Sequence, residues 1–211
     1  KIRQPGEPYR DRRLLKQESL SIGGLSYPFD LIRDAHGNLA TQGYPGGATV
    51  GMFPNALGQP TQLGPYATGV SHHPNGAIAG YTLGNGVVHS VSQNTRGLPL
   101  VWRDSGVIQD QYTYDPNGNV TAIADQQASG ATSRTMGYDG LDRLTTANGA
   151  WGAGSYAYDP LDNLRLSTVG SRTLNHLFDA NNRMSGVSGA INMSLGYDAN
   201  GNMNLRGAQA F

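Results

Sequence analysis

The stretch Tyr112-Thr-Tyr-Asp-Pro-Asn-Gly-Asn-Val-Thr-Ala-Ile123 reads as one β-hairpin. Tyr112 and Tyr114 stand two apart and so share a strand face. Asp115-Pro116-Asn117-Gly118 has the chemistry of a tight turn: an aspartate that bonds back to the main chain, a proline that presets φ, and a glycine that accepts left-handed backbone. A type I turn followed by a left-handed residue makes a three-residue hairpin loop with a bulge. Val120 and Ala122 then open the return strand, expected on one face.

The unit recurs. Its first turn residue falls at Asp34, Asn55, His73, Asn94, Asp115, Asp139, Asp159, Asp179 and Asp198, at intervals of 18 to 24 residues, a period that signals repeat architecture. The fourth turn position holds Gly37, Gly58, Gly76, Gly97, Gly118, Asp142, Asp162, Asn182 and Gly201, all types that tolerate a left-handed backbone. Ahead of the later turns stand Tyr114, Tyr138, Tyr158, Phe178 and Tyr197; the first four copies have no aromatic there. Five residues after the turn begins come Leu39, Ile78, Val120, Leu144, Leu164, Met184 and Met203, with Pro60 and Pro99 breaking the pattern. Asn85-Gly86 and Asn148-Gly149 carry the two-residue hairpin signal and are expected to turn the chain between the main turns. Two strands per repeat predict 16 to 18 strands from Leu25 onward.

Composition agrees. Lys occurs only at Lys1 and Lys16, and Glu only at Glu7 and Glu18, so neither of these two charged helix formers occurs after residue 18. With 30 Gly and 11 Tyr, the rest is a strand-and-turn vocabulary, and the fold class is all-β: a repetitive hairpin array. The net charge of zero gives no electrostatic case for nucleic acid. No cysteine is present, which excludes disulfides, zinc thiolates and a cysteine nucleophile. No apolar run approaches the ~20 residues of a membrane helix. Residues 1–24 are expected to be an arm or cap-like segment, with Arg10–Leu20 as a short helix or an extended arm, and residues 25–211 a continuous array. Both ends have the look of cut ends, so the array is expected to continue past Phe211, and the piece alone to associate edge to edge.

Tyr114-Asp-Pro-Asn-Gly-Asn119, Tyr138-Asp-Gly-Leu-Asp-Arg-Leu144, Tyr158-Asp-Pro-Leu-Asp-Asn-Leu164 and Tyr197-Asp-Ala-Asn-Gly-Asn202 resemble the YD repeats of the RHS (rearrangement hotspot) family. The resemblance runs from about Leu25 to Phe211. It implies a large spiralling β-sheet shell that encapsulates a toxic C-terminal polypeptide, as in type VI secretion effectors of bacterial competition and in toxin-complex cocoons. Implied partners are the enclosed toxin, the remaining repeats of the same protein, and secretion-machinery or chaperone proteins. Implied localisation is secreted or at the bacterial surface, with delivery into a target cell. The family's self-cleaving segment is not found in this sequence, so its aspartates transfer to no residue here. The alternative is a YD-repeat surface protein that binds carbohydrate or a neighbouring cell.

The residues themselves point to no catalysis and no cofactor. Within residues 25–211 most aspartates hold turn positions one or four; Asp30, Asp104, Asp110 and Asp125 are left over there, with no partner motif in sequence. Asp115-x-Asn117-Gly118-Asn119 lacks the distal glutamate of a calcium loop. His72 and His73 are expected on opposite strand faces, and no histidine has metal-ligand spacing. The site expected to matter is therefore structural: the turn residues Asp34, Gly37, Asp115, Gly118, Asp139, Asp142, Asp159, Asp162, Asp179, Asn182, Asp198 and Gly201. To these are added the aromatics Tyr114, Tyr138, Tyr158, Phe178 and Tyr197, expected to stack from repeat to repeat.

Overall fold

The structure, a computed structural model, describes residues 14–127 and 130–210. Every regular element among them is a β-strand, as a chain poor in helix formers requires. Packing divides the chain into two compact units, Lys1–Gln109 and Asp110–Phe211.

In the first unit, β1 (Gln17–Ile22), β2 (Leu25–Arg33), β3 (Leu39–Gly43) and β4 (Thr49–Gly51) pair in succession as a four-stranded sheet. After a loop come β5 (Ala67–His72), β6 (Ile78–Leu83), β7 (Val88–Gln93) and β8 (Pro99–Asp104), again paired in chain order. β9 (Ile108–Tyr114) begins at the end of this unit. The second unit continues through β10 (Val120–Asp125), β11 (Arg134–Tyr138), β12 (Leu144–Gly149), β13 (Gly152–Tyr158) and β14 (Leu164–Val169). It ends with β15 (Arg172–Phe178), β16 (Met184–Gly189), β17 (Met193–Tyr197), β18 (Met203–Arg206) and β19 (Gln209–Ala210). Each strand is antiparallel to the next. Among the described residues eighteen strands, β2 to β19, follow residue 24.

Three expectations change here. Gln17–Leu20 belongs to β1, which pairs with β2 across Gly23-Gly24, so no helix forms there; residues 1–13 of the expected arm lie outside the described residues. Asn148 and Gly149 are the last residues of β12, and the turn is Ala150-Trp151. Gly149 serves the ring of Trp151, which lies where its Cβ would be, 2.7 Å away; the indole Nε1–H donates to the Ala147 carbonyl at 3.3 Å. The Asn85-Gly86 turn closes one residue wider than expected, with Leu83 N–H donating to Val87 O at 2.9 Å.

Each later hairpin also carries a bulge. Tyr138 faces Leu144 but Gly137 faces Thr146, leaving Thr145 extra. The same offset recurs at Tyr158 facing Leu164, Phe178 facing Met184 and Tyr197 facing Met203. In the first of these hairpins Val120 faces Tyr114 and Ala122 faces Thr113, so the bulge puts Val120 and Ala122 on opposite faces, not one. Bulges bend a strand and raise its twist, so the array carries a curvature device once per repeat.

Side chains pack thinly. The buried apolar residues among those described are Val50, Ala67, Ala147 and Val187, and strand contacts run between successive strands. In the second unit one face holds Tyr112, Ile123, Met136, Ala147, Tyr156, Leu174, Val187 and Leu195; the other holds Thr113, Ala122, Thr135, Asn148, Ser155, Thr168, Asn175 and Ser194. With so little burial, the main chain and its turns hold this fold together more than a dense core does.

Candidate functional site

The turns form a repeated hydrogen-bonded node. At Asp139 the backbone N–H donates to Arg143 O at 3.0 Å, and Asp142 N–H donates to Asp139 O at 3.1 Å. Asp139 Oδ1 accepts from the backbone N–H of Leu141 and Arg143, at 2.9 and 3.0 Å. The aspartate thus satisfies main-chain donors that the turn leaves without strand partners. The same set recurs at Asp34, Asp159, Asp179 and Asp198, and with Asn at Asn55 and Asn94. Position four is left-handed: Gly37 at φ 91°, Gly118 at 99° and Gly201 at 84°, with Asp142 at 60°, Asp162 at 65° and Asn182 at 60°.

A fifth position, which sequence reasoning missed, completes the node. Asn38, Asn119, Asn163 and Asn202 donate Nδ2–H to the second oxygen of their own turn aspartate, and Arg143 and Arg183 do so through Nε. Asn and Arg look unlike on paper, yet both bring an N–H to one point. The signal was present: seven of the nine copies have Asn, Gln or Arg there, and the other two have Ala77 and Leu98.

In the second unit the fifth residue also reaches forward to position four of the following repeat. Asn119 Nδ2 donates to Asp142 Oδ1 at 2.7 Å, Arg143 to Asp162 Oδ1 at 2.7 Å, and Asn163 Nδ2 to Asn182 Oδ1 at 2.6 Å. This explains why Asp142, Asp162 and Asn182 stand where glycine is stereochemically easier: each offers an acceptor that glycine lacks. Asn163→Leu removes both bonds and is expected to lower stability by about 1–3 kcal/mol. Asn163→Arg, which copies Arg143, is expected to recover most of that loss in a urea titration.

The repeat aromatics do not stack ring on ring as expected. They lie on alternate strands, about 9.5 Å apart, beyond stacking range. Cations take the gap: Arg143 sits 4.9 Å from the Tyr158 ring centroid, Arg165 5.4 Å from that of Phe178, and Arg183 5.1 Å from that of Tyr197. Tyr138 and Tyr197 donate their hydroxyls to the carbonyls of Val120 and Met184, both at 2.9 Å. Tyr114 stacks on Tyr112 of its own strand.

Electrostatics follow from these bonds. The carboxyls of Asp115, Asp139, Asp159 and Asp198 are held below the ordinary aspartate range, chiefly by side-chain donors (Asn119, Arg143, Asn163, Asn202) with help from backbone N–H groups, against the smaller upward push of burial. For Asp179 the Arg183 backbone N–H leads. At Asp34 burial pushes upward, and the Asn38 and backbone bonds together outweigh it. Burial raises the phenols of Tyr112, Tyr114 and Tyr138.

The leftover aspartates have partners that only the fold reveals. Asp30 accepts from Gln17 Nε2 at 2.7 Å. Asp104 lies 2.7 Å from Nδ1 of buried His89, which stacks on Tyr81 and meets the edge of Trp102. Asp110, the most buried large side chain described, pairs with Arg134 at 3.1 Å. It faces Asp125, which accepts from Gln127 and Thr132. His73 Nε2 lies 2.8 Å from Val91 O. No group of three metal-ligating side chains exists among the described residues. No helix among them is long and apolar enough to cross a membrane.

Comparison with known proteins agrees with this architecture. Residues 114–150 match the sequence profile described as RHS Repeat. Among solved structures, a TcdB2-TccC3 crystal structure aligns at TM-score 0.65 and 18% identity over 85% of this chain. The TcdB2-TccC3-Cdc42 structure aligns at 0.65 and 16% over 85%, and the Photorhabdus luminescens Tc holotoxin pore with a TccC3 mutation at 0.59 and 16% over 88%. At these identities the likeness is one of fold, and the chain spans only 12–13% of the length of those chains. No curated protein matches the sequence.

Proposed function

We propose, from the premise that this chain belongs to the RHS-repeat family, that it is a stretch of wall in a secreted, toxin-complex-type shell, has no catalysis of its own, and encloses a toxic polypeptide. The observation that supports this best is the chain-long fold likeness to TcdB2-TccC3, at TM-score 0.65. The node chemistry fits a wall: its carboxylates are committed to turn amides and to the fifth-position donors, which makes them fixtures of the backbone. In this reading the wall begins with β1, inside the 1–24 segment, and the turn residues and repeat aromatics are its joints. The enclosed polypeptide, the remaining repeats and the delivery machinery are the partners.

The test uses the full-length product that contains this chain. Its variable polypeptide is expected to co-purify with the repeats, to resist added protease, and to become cleavable once the repeats are unfolded. Cleavage of that polypeptide at the rate of the free polypeptide would overturn the proposal.

A further inference from the structure

On β7 and β8 the two faces of the sheet carry different chemistry. Register sets Ser90 opposite Arg103, His89 opposite Asp104 and Val91 opposite Trp102. Ser90 and Arg103 therefore share one face, and His89 and Asp104 the other. The second face is closed on itself: Asp104 Oδ1 lies 2.7 Å from His89 Nδ1, and Asp104 Oδ2 accepts from Trp102 Nε1 at 3.3 Å. The first face holds a hollow of about 250 Å³ lined by Val88, Ser90, Arg103 and Ser105. Gly80 stands opposite Ser90 on β6, so that strand places no side chain directly across from the serine.

The polar side chains of the hollow can all donate. Ser105 Oγ already accepts the Val88 N–H at 2.9 Å, which leaves its hydroxyl proton to give. Ser90 brings a second hydroxyl. Arg103 has no ion pair among the described residues, whereas Arg134, Arg143, Arg165 and Arg183 are each paired with an aspartate. Asp104, its neighbour in the chain, is held on the opposite face, and β5 to β8 contain no other acidic residue. A cation without a counter-charge, set in a hollow beside two hydroxyl donors, has the chemistry of an anion receptor.

We propose that this hollow binds a small organic monocarboxylate. The planar guanidinium fork matches the two oxygens of a carboxylate, and its one positive charge balances one negative charge. A phosphate group brings about −1.5 to −2 charge at neutral pH and would stay partly uncompensated. Val88 offers an apolar wall to the carbon atoms of an organic acid and nothing to inorganic phosphate. The site lies within the first unit and does not depend on the shell.

The test follows ¹H–¹⁵N NMR titrations of this chain, in which the spectrum itself reports that each variant is folded. The Arg103 Nε–H signal is assigned by its loss in Arg103→Gln. Isobutyrate is expected to shift it saturably, and isobutyramide, the neutral isostere, to bind at least about tenfold more weakly. Inorganic phosphate should also bind more weakly than isobutyrate, and isobutyrate affinity should fall as salt rises from about 50 to 500 mM. Read from the backbone signals of Ser90 and Ser105, Arg103→Gln should cost about tenfold or more in affinity. Arg103→Lys keeps the charge without the fork and should recover only part of that loss. Ser90→Ala should weaken binding about two- to tenfold. No saturable shift with isobutyrate, equal affinity for isobutyramide, phosphate binding as tight as that of isobutyrate, or full affinity in Arg103→Gln would each overturn the proposal. So would binding of N-acetylglutamate N-methylamide about tenfold tighter than isobutyrate, which would make the ligand a polypeptide side chain.

Discussion

Gly189→Val is expected to lose about 4 kcal/mol of stability, the sum of roughly 1–3 kcal/mol for forced left-handed backbone and 1–3 kcal/mol for overpacking. Gly189 ends β16 at φ 116°, and a Cβ there would lie 2.5 Å from the Thr173 carbonyl oxygen. That oxygen accepts the Ala190 N–H at 2.8 Å, so moving aside breaks a bond that joins β15 to β16. Ser155→Val, on an exposed position of β13, should change stability by less than about 0.5 kcal/mol. Each unit contains one tryptophan, Trp102 in the first and Trp151 in the second. A urea titration in a Trp102→Phe background therefore reads the second unit. Equal midpoints for the two variants would show that the strand end yields freely.

Acid should dissolve the second unit before the first. A carboxyl whose pKa is depressed by folding contributes stability that is complete above the unfolded value, about 3.9, and is lost as pH falls through the folded value. The second unit has five such groups, Asp115, Asp139, Asp159, Asp179 and Asp198, while the first has Asp34. Its remaining turn-opening residues are Asn55, His73 and Asn94, none of them a carboxylate. Hydrogen-exchange protection factors, corrected for intrinsic rates, should fall within 110–210 at a higher pH than within 14–109 as the solution is taken below pH 4. Asp139→Asn and Asp159→Asn together should narrow the gap. Simultaneous loss of protection in both units would refute the assignment.

The hairpin array was legible because its demands are local. Asp at position one and a left-handed type at position four are dictated by a turn of a few bonds, so Gly118 and Asp142 could be placed from sequence. The fifth position escaped because its role is an N–H at a point in space, which Asn119 and Arg143 supply with different shapes. Asp110 and Arg134 are 24 residues apart, and only β10 between them brings the pair together. Asn148-Gly149 misled because glycine has two uses; here it clears space for Trp151, and the turn lies beyond it. The left-handed backbone of Phe53, at φ 46°, which lays its ring over Gly51, leaves no mark in composition at all.

The forward reach of Asn119, Arg143 and Asn163 runs one way, from each repeat to the next. The array therefore has polarity, like a chain of couplings with hook and eye. Cut anywhere between two such repeats, it leaves an unused donor on one stump and an unused acceptor on the other. Two copies of a piece then match head to tail and mismatch head to head, which favours open-ended, heterologous association over a closed two-fold dimer. A repeat exchanged between two such arrays is accepted only if it brings both a donor for its successor and an acceptor for its predecessor.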